Sequence, residues 1–183
     1  MTFTSTHPDG CFIIEPNVIN DGRGYFMESF NQEKFEKGIG NKVHFVQDNQ
    51  SYSTKGVLRG LHYQTSVYAQ AKLVRVLQGE VLDVAVDIRP GSKTYGAHVA
   101  VVLSAENSKQ LFIPRGFAHG FLVLSNTATF FYKCDNLYNK ESEGGLIYND
   151  PAVGINWGVA QEELLISEKD MALPNLEDSR KIW

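Results

Sequence analysis

Short apolar segments separated by turn residues run through the centre of the chain. Helical periodicity is limited to residues 31–39 and 161–170. Short strands in regular succession are typical of a β-sandwich or barrel and not of βαβ units. The pattern predicts one all-β domain over residues 1–183, a barrel or sandwich with short helical additions. Eight strands are predicted, at residues 44–53, 56–64, 71–79, 80–89, 98–104, 110–116, 118–125 and 128–136.

Period-two alternation assigns the side chains of each predicted strand to two faces. Lys72, His119 and Tyr132 each fall on a mainly apolar face, and we expect these faces to point into the barrel. In the strand at 80–89 the alternation puts four apolar residues on one face and two aspartates on the other: Leu82, Val84, Val86 and Ile88 against Asp83 and Asp87.

The segment at residues 55–64, KGVLRGLHYQ, mixes strand-forming residues with an arginine and a histidine. Arg59 and His62 have opposite parity, and a bend at Gly60 between them would bring both to one mouth of the barrel. A buried lysine is costly unless something pairs with it. Several titratable groups inside a small barrel indicate a ligand site. We therefore interpret His62, Lys72, His119 and Tyr132 as a candidate site.

Composition sets limits on the class of protein. The 183 residues are 43% hydrophobic and 21% charged, within the ordinary globular range. A net charge of −4 with mixed signs argues against a nucleic-acid partner held by charge. No secretory signal or transmembrane segment is evident, so we expect a cytoplasmic protein without a membrane partner. Cys11 and Cys134 are too few and too far apart for a disulfide framework.

The segment PRGFAH at residues 114–119 resembles the second motif of the cupins, Pro-x-Gly-x-x-His. Metal-binding cupins combine this histidine with a His-x-His and a glutamate from earlier strands. Here Gln64 stands at the second histidine position and Lys72 at the glutamate position. An amide is a poor ligand and a protonated lysine is none, so we expect no metal site.

Without a metal, the candidate residues suit proton transfer. A histidine is a general base near neutral pH, a lysine ammonium stabilises a developing oxyanion, and a tyrosine donates a proton. Together they could remove a proton next to a carbonyl and return it from the opposite face, which is epimerisation through an enolate. A Schiff base on Lys72 is the rival chemistry.

Several motifs, in order along nearly the whole chain, resemble the family of dTDP-4-dehydrorhamnose 3,5-epimerases. The resemblance implies a cupin-like jelly roll, a homodimer, no metal and no cofactor. It also implies the substrate dTDP-4-dehydro-6-deoxy-D-glucose, whose C3 and C5 flank the C4 ketone. The motifs are DGRGYFMESF (21–30), FVQDNQSYSTKGVLRGLHYQ (45–64), QAKLVRVLQGEVLDVAVDIR (70–89), LSAENSKQLFIPRGFAHGFLVLS (103–125), YNDPAVGINW (148–157) and ISEKD (166–170).

The resemblance also implies roles for individual residues. His62 would be the base, Asp170 its partner, Lys72 the group that holds the C4 oxygen, and Tyr132 the proton donor on the other face. Arg23 and Glu28 would come from an N-terminal segment that crosses to the partner subunit. The implied substrate-binding residues are Arg23, Arg59 and Lys169 for the diphosphate, Glu28, Gln47 and Asn49 for nucleotide or sugar, Tyr138 for stacking on thymine, and His119 and Glu143 for the sugar.

Other functions fit the same residues. A relative that inverts only C3 or only C5, or a ketoisomerase of a related dTDP-4-keto-6-deoxysugar, would use the same groups. A non-catalytic nucleotide-sugar binding module would keep the pocket without turnover. A metal-dependent cupin oxygenase would require a bound ion.

Overall fold

Two six-stranded sheets lie face to face in the computed structural model, which describes residues 1–183. The first sheet is antiparallel. In spatial order it contains β1 (Thr2–Ser5), β2 (Phe12–Glu15), β10 (Gln110–Ile113), β7 (Lys72–Gln78), β12 (Thr127–Cys134) and β5 (Gln47–Thr54).

The second sheet supplies the opposite wall. Its order is β13 (Glu143–Gly145), β6 (Val57–Gln64), β11 (Phe117–Val123), β8 (Glu80–Asp87) and β9 (His98–Ser104). A two-residue strand, β14 (Leu165–Ile166), adds to β6 in parallel. A separate hairpin consists of β3 (Val18–Asp21) and β4 (Gly24–Met27). No strand of one sheet pairs with a strand of the other, so the sheets do not close into a barrel.

Two helices complete the fold, α1 (Gln32–Ile39) and α2 (Glu168–Met171). The side chain of Asn31 caps α1 by accepting a hydrogen bond from the backbone N–H of Lys34. The helix ends at Gly40, whose φ of 70° is the left-handed conformation that glycine adopts readily. Phe35 on α1 is fully buried and anchors the helix to the outer face of the first sheet.

Apolar clusters occupy three layers. The middle layer fills the space between the sheets with residues such as Val74, Val81 and Phe130. A second cluster covers the outer face of the second sheet, where the C-terminal segment packs Trp157 and Ile182 over the strands. Strands β8 and β11 at the centre of the second sheet are therefore buried on both faces, which makes them a rigid support for the side chains they direct inward.

The structure confirms the all-β class and all eight predicted strands, with small changes at their ends. It also confirms the helix at residues 31–39, which begins at Gln32. The predicted helix at 161–170 is wrong: this segment forms a single 3₁₀ turn, strand β14 and the short helix α2. Leu165 and Ile166 pair with Val57 and Leu58 on β6, and this long-range pairing prevails over a weak local helical pattern. Neither helix has the length or apolar character needed to cross a membrane.

Candidate active site

Two adjoining cavities, of about 340 and 300 Å³, lie between the sheets. Both are lined by His62, Lys72 and Tyr132, so we treat them as one cleft. The predicted inward direction of Lys72, His119 and Tyr132 is confirmed. The first cavity also contains Arg59, His119, Lys169 and Asp170, and the second contains Gln47, Asn49, Tyr138 and Glu143. The structure thus brings together eleven of the thirteen predicted site residues.

His62 and Asp170 form a hydrogen-bonded pair at the centre of the cleft. The Nε2 of His62 on β6 lies 2.8 Å from Oδ1 of Asp170 on α2, and Oδ2 accepts the backbone N–H of Gly60 at 3.0 Å. Burial by itself would raise the pKa of Asp170, but the hydrogen bonds from His62 and Gly60 hold this pKa below its usual value. Because the ionised carboxylate only accepts, Nε2 carries the hydrogen and Nδ1 keeps its lone pair.

The bend expected at Gly60 is present. Gly60 has a φ of 103°, and a Cβ atom there would lie 2.6 Å from the carbonyl oxygen of His119. At the same place the pairing of β6 with β11 shifts by one residue, from His62–His119 to Arg59–Phe121. Arg59 and His62 therefore both line the first cavity, although strict alternation puts them on opposite faces.

Lys72 and Tyr132 face His62 from the opposite sheet, on β7 and β12. The Nζ of Lys72 lies 5.8 Å from the centroid of the Tyr132 ring. Burial lowers the pKa of Lys72, and the nearby Cys134 and Asp83 act in the opposite direction. Burial raises the pKa of Tyr132, so its phenol remains protonated at neutral pH and is able to donate.

A second histidine–aspartate pair lies deeper in the same interior. The Nε2 of His119 on β11 is 2.8 Å from Oδ1 of Asp83 on β8, and Asp83 is completely buried. Burial lowers the pKa of His119. Asp83 was not among the predicted site residues. In the sequence, Asp83 is distinguished only by its position on the face of β8 opposite the apolar residues. Because both faces of that strand are buried, the alternation does not show which face lines the cleft.

Polar side chains line the outer end of the cleft. Lys169 donates to Glu143 at 2.8 Å, and Gln47 donates to Asn49 at 3.1 Å. The Oε1 of Gln47 accepts the backbone N–H of Tyr138, whose ring is about half exposed. Gln64, at the cupin metal position, is buried and its Oε1 accepts the backbone N–H of Asn139. Its amide therefore holds the loop that carries Tyr138.

Arg23 and Glu28 lie outside the cleft of their own chain. Arg23, at the tip of the β3–β4 hairpin, is highly exposed and pairs with Asp21, while Glu28 pairs with Lys34. The hairpin also exposes three large apolar side chains, Ile19, Tyr25 and Phe26. The predicted role of Arg23 and Glu28 in substrate binding stays a prediction, because it depends on a partner subunit.

No three histidine, cysteine, aspartate or glutamate side chains are grouped so that they could hold a metal ion. The open jelly roll and its histidine–aspartate pair, facing a lysine and a tyrosine, define a cupin-like protein with an acid–base site. The match to known proteins is narrower than this class: residues 5–178 fit the model of the dTDP-4-dehydrorhamnose 3,5-epimerase family. The chain belongs to that family.

Individual relatives agree with this assignment. The chain is 56% identical over 171 residues to dTDP-4-dehydrorhamnose 3,5-epimerase of Shigella flexneri, covering 93% of each chain. The crystal structure of the Elizabethkingia anophelis epimerase matches with a TM-score of 0.94 at 52% identity, covering 100% of this chain and 99% of the other. The Legionella pneumophila 3,5-epimerase, solved in complex with dTDP-4-keto-L-rhamnose, matches with a TM-score of 0.93 at 51% identity, covering 97% and 93%. These structures confirm the cupin-like jelly roll.

Proposed function

We propose that this protein inverts C3 and C5 of dTDP-4-dehydro-6-deoxy-D-glucose to give dTDP-4-dehydro-L-rhamnose. The observation that carries the proposal is the placement of His62 and Tyr132 on opposite sheets of one cleft. A sugar ring held between the sheets has one face toward the histidine and the other toward the tyrosine. A proton removed from one face is therefore replaced from the other, and the carbon is inverted.

Each inversion follows the same steps. Nδ1 of His62 takes the proton from the carbon next to the ketone, and the electron pair of the C–H bond forms a C=C bond as the C4 oxygen becomes an enolate. The ammonium of Lys72 hydrogen-bonds this oxygen, and Asp170 stabilises the imidazolium. The hydroxyl of Tyr132 then protonates the same carbon from the opposite side. Solvent removes the proton from His62 and restores that of Tyr132, so the net reaction is an isomerisation.

The remaining residues of the cleft bind the substrate. Arg59, whose Nε donates to Ser53, and Lys169 are the cations of the first cavity that suit a diphosphate. His119 and Glu143 contact the sugar. Gln47 and Asn49 contact the nucleotide, and the half-exposed ring of Tyr138 stacks on thymine.

The assembly proposed here is a homodimer. The β3–β4 hairpin carries Arg23 and exposes Ile19, Tyr25 and Phe26, a set of apolar side chains that a second subunit would cover. Arg23 and Glu28 would then complete the diphosphate and nucleotide contacts of the partner's cleft. We also propose that the protein works in the cytoplasm, in the supply of deoxysugar precursors for cell-surface polysaccharides.

Incubation with dTDP-4-dehydro-6-deoxy-D-glucose in D₂O, followed by NMR of the product, tests the proposed function. We expect deuterium at both C3 and C5 and inversion at both centres. Deuterium and inversion at one carbon alone would favour a single-centre epimerase. A rearranged skeleton would indicate a ketoisomerase, and no exchange would refute the enzymatic proposal.

Variants then connect the reaction to the cleft. His62→Ala removes the base, and we expect turnover to fall by at least about 100-fold while substrate still binds. His44→Ala is the matched control, because His44 is exposed and lies in a different depression of the surface. Unchanged turnover in His62→Ala would contradict the role of this histidine.

A further inference from the structure

We propose that Asp83 is a positioning residue of this site: one carboxylate oxygen fixes the tautomer of His119, and the other, buried and without a partner, is the counter-charge of Lys72. Asp83 lies on β8, the strand next to β11, and its side chain is fully buried between the sheets. No other buried carboxylate contacts a side chain of the cleft apart from Asp170, which is bonded to His62. The interior thus contains two separate histidine–aspartate pairs.

The first part of the proposal follows from the hydrogen bond. A carboxylate only accepts, so Nε2 of His119 carries the hydrogen that it donates to Oδ1 of Asp83. Nδ1 is then the acceptor nitrogen, and it has no hydrogen-bond partner in the protein, although it is not fully enclosed. Because His119 lines the first cavity, this nitrogen is suited to accept a hydrogen bond from a sugar hydroxyl. The opposite tautomer would present a donor instead.

The second part concerns the lysine. The ammonium of Lys72 has no salt bridge, and burial disfavours its charge, whereas Cys134 and then Asp83 act in its favour. Burial raises the pKa of the Cys134 thiol, so Asp83 is the group of the two that carries a negative charge at neutral pH. Oδ2 of Asp83 is buried and lacks a hydrogen-bond partner in the protein, so this half of the carboxylate is not neutralised by any donor. Other titratable and charged groups share this interior with Lys72 and Asp83. Two of them are carboxylates, but each already has a cationic or histidine partner: Asp170 is bonded to His62 and Glu143 to Lys169. The others are Cys11, Arg59, His62, Tyr132 and Cys134. Without Asp83, Lys72 would lose its proton at a lower pH.

This inference deepens the proposed function and rests on it, because a neutral amine at Lys72 would stabilise the enolate at C4 far less than the ammonium does. The part that concerns the tautomer of His119 can be tested without measuring turnover. Side-chain ¹H–¹⁵N NMR of the wild-type protein at neutral pH should show His119 with hydrogen on Nε2 and an unprotonated Nδ1. Hydrogen on Nδ1 with a bare Nε2 would overturn the tautomer assignment, whether or not the protein is an epimerase.

The kinetic arm uses Asp83→Asn, which keeps the size of the side chain and removes its charge. We expect kcat at pH 7 to fall by on the order of 100-fold. The basic limb of the kcat profile should also move to lower pH by about one unit, because Lys72 loses its counter-charge. A merely structural role for Asp83 would lower the amount of folded protein without moving this limb.

Asp87→Asn is the matched control. Asp87 lies on the same face of β8 and is equally buried, but it bonds to Arg89, Ser92 and Thr94 away from the cleft. Its variant should keep the wild-type pH profile. If the wild type epimerises but the basic limb of Asp83→Asn stays in place, the inference fails and the proposed function stands. Should Asp83→Asn not fold, NMR titration of the Lys72 ammonium in the wild type decides: loss of its proton below pH 7 would overturn the proposal.

Discussion

Asp170→Asn is the sharpest test of the histidine–aspartate pair. Asp170 has two partners, His62 at Oδ1 and the backbone N–H of Gly60 at Oδ2. An asparagine has one acceptor oxygen, and leaving the buried N–H of Gly60 unpaired would cost about 1–3 kcal/mol. The amide oxygen therefore keeps the bond to Gly60 and turns the NH₂ group toward Nε2 of His62.

The histidine must then accept at Nε2, and its hydrogen moves to Nδ1, the atom that takes the substrate proton. The same change in a Ser-His-Asp triad lowers kcat about 10⁴-fold through the wrong tautomer. At 1.36 kcal/mol for each factor of ten, this corresponds to about 5 kcal/mol of lost transition-state stabilisation. KM should change little, because Asp170 is almost fully buried and both of its carboxylate oxygens are bonded within the protein.

The rate of deuterium incorporation at C3 and C5, measured with saturating substrate, is compared between Asp170→Asn and the wild type as the measure of kcat. Asp150→Asn serves as the control, because Asp150 is also buried and accepts two backbone N–H groups, but far from the cleft. A kcat for Asp170→Asn within tenfold of the wild type would refute the assignment of the tautomer, provided that both variants are folded.

Three further outcomes are expected. Tyr132→Phe removes the proton donor but leaves the base His62, so deuterium should still enter at C3 and C5, with retention of configuration. NMR that shows continued inversion would contradict the role of Tyr132 as the proton donor. Gly60→Ala should lower the free energy of unfolding in urea by about 1–3 kcal/mol, since its Cβ would meet the backbone at His119 and Gly120, and an unchanged midpoint would argue against this close approach. Burial opposes the ionisation of Asp87, but hydrogen bonds from Arg89, Ser92 and Thr94 outweigh it and lower the pKa from 3.8 to about 2. The resulting stabilisation of about 2 kcal/mol is present above pH 4 and lost as the pH falls toward 2, so the stability gap between wild type and Asp87→Asn should close over that range in urea melts.

Local alternation was enough to predict the strands and the inward direction of three site residues. Lys72, His119 and Tyr132 lie on apolar strand faces, and the side-chain period of two carries this information within a few residues. The glycine at position 60 likewise indicated a bend, because only a residue without Cβ fits where two backbones approach so closely. Resemblance to a family supplied the roles that alternation could not.

Contacts between distant segments cannot be derived from local alternation; the family resemblance suggested the pair of His62 and Asp170, and the tertiary structure shows how it forms. Asp170 reaches His62 across 108 residues of sequence, and a two-residue strand and a four-residue helix, too short for a periodic signal, place it there. Alternation also could not show that Asp83 points toward the cleft. Both faces of β8 are buried, one between the sheets and the other under the C-terminal segment, and the pattern is the same for either orientation. A sequence pattern records the burial of a residue, whereas its partner depends on how the sheets and the C-terminal segment pack together.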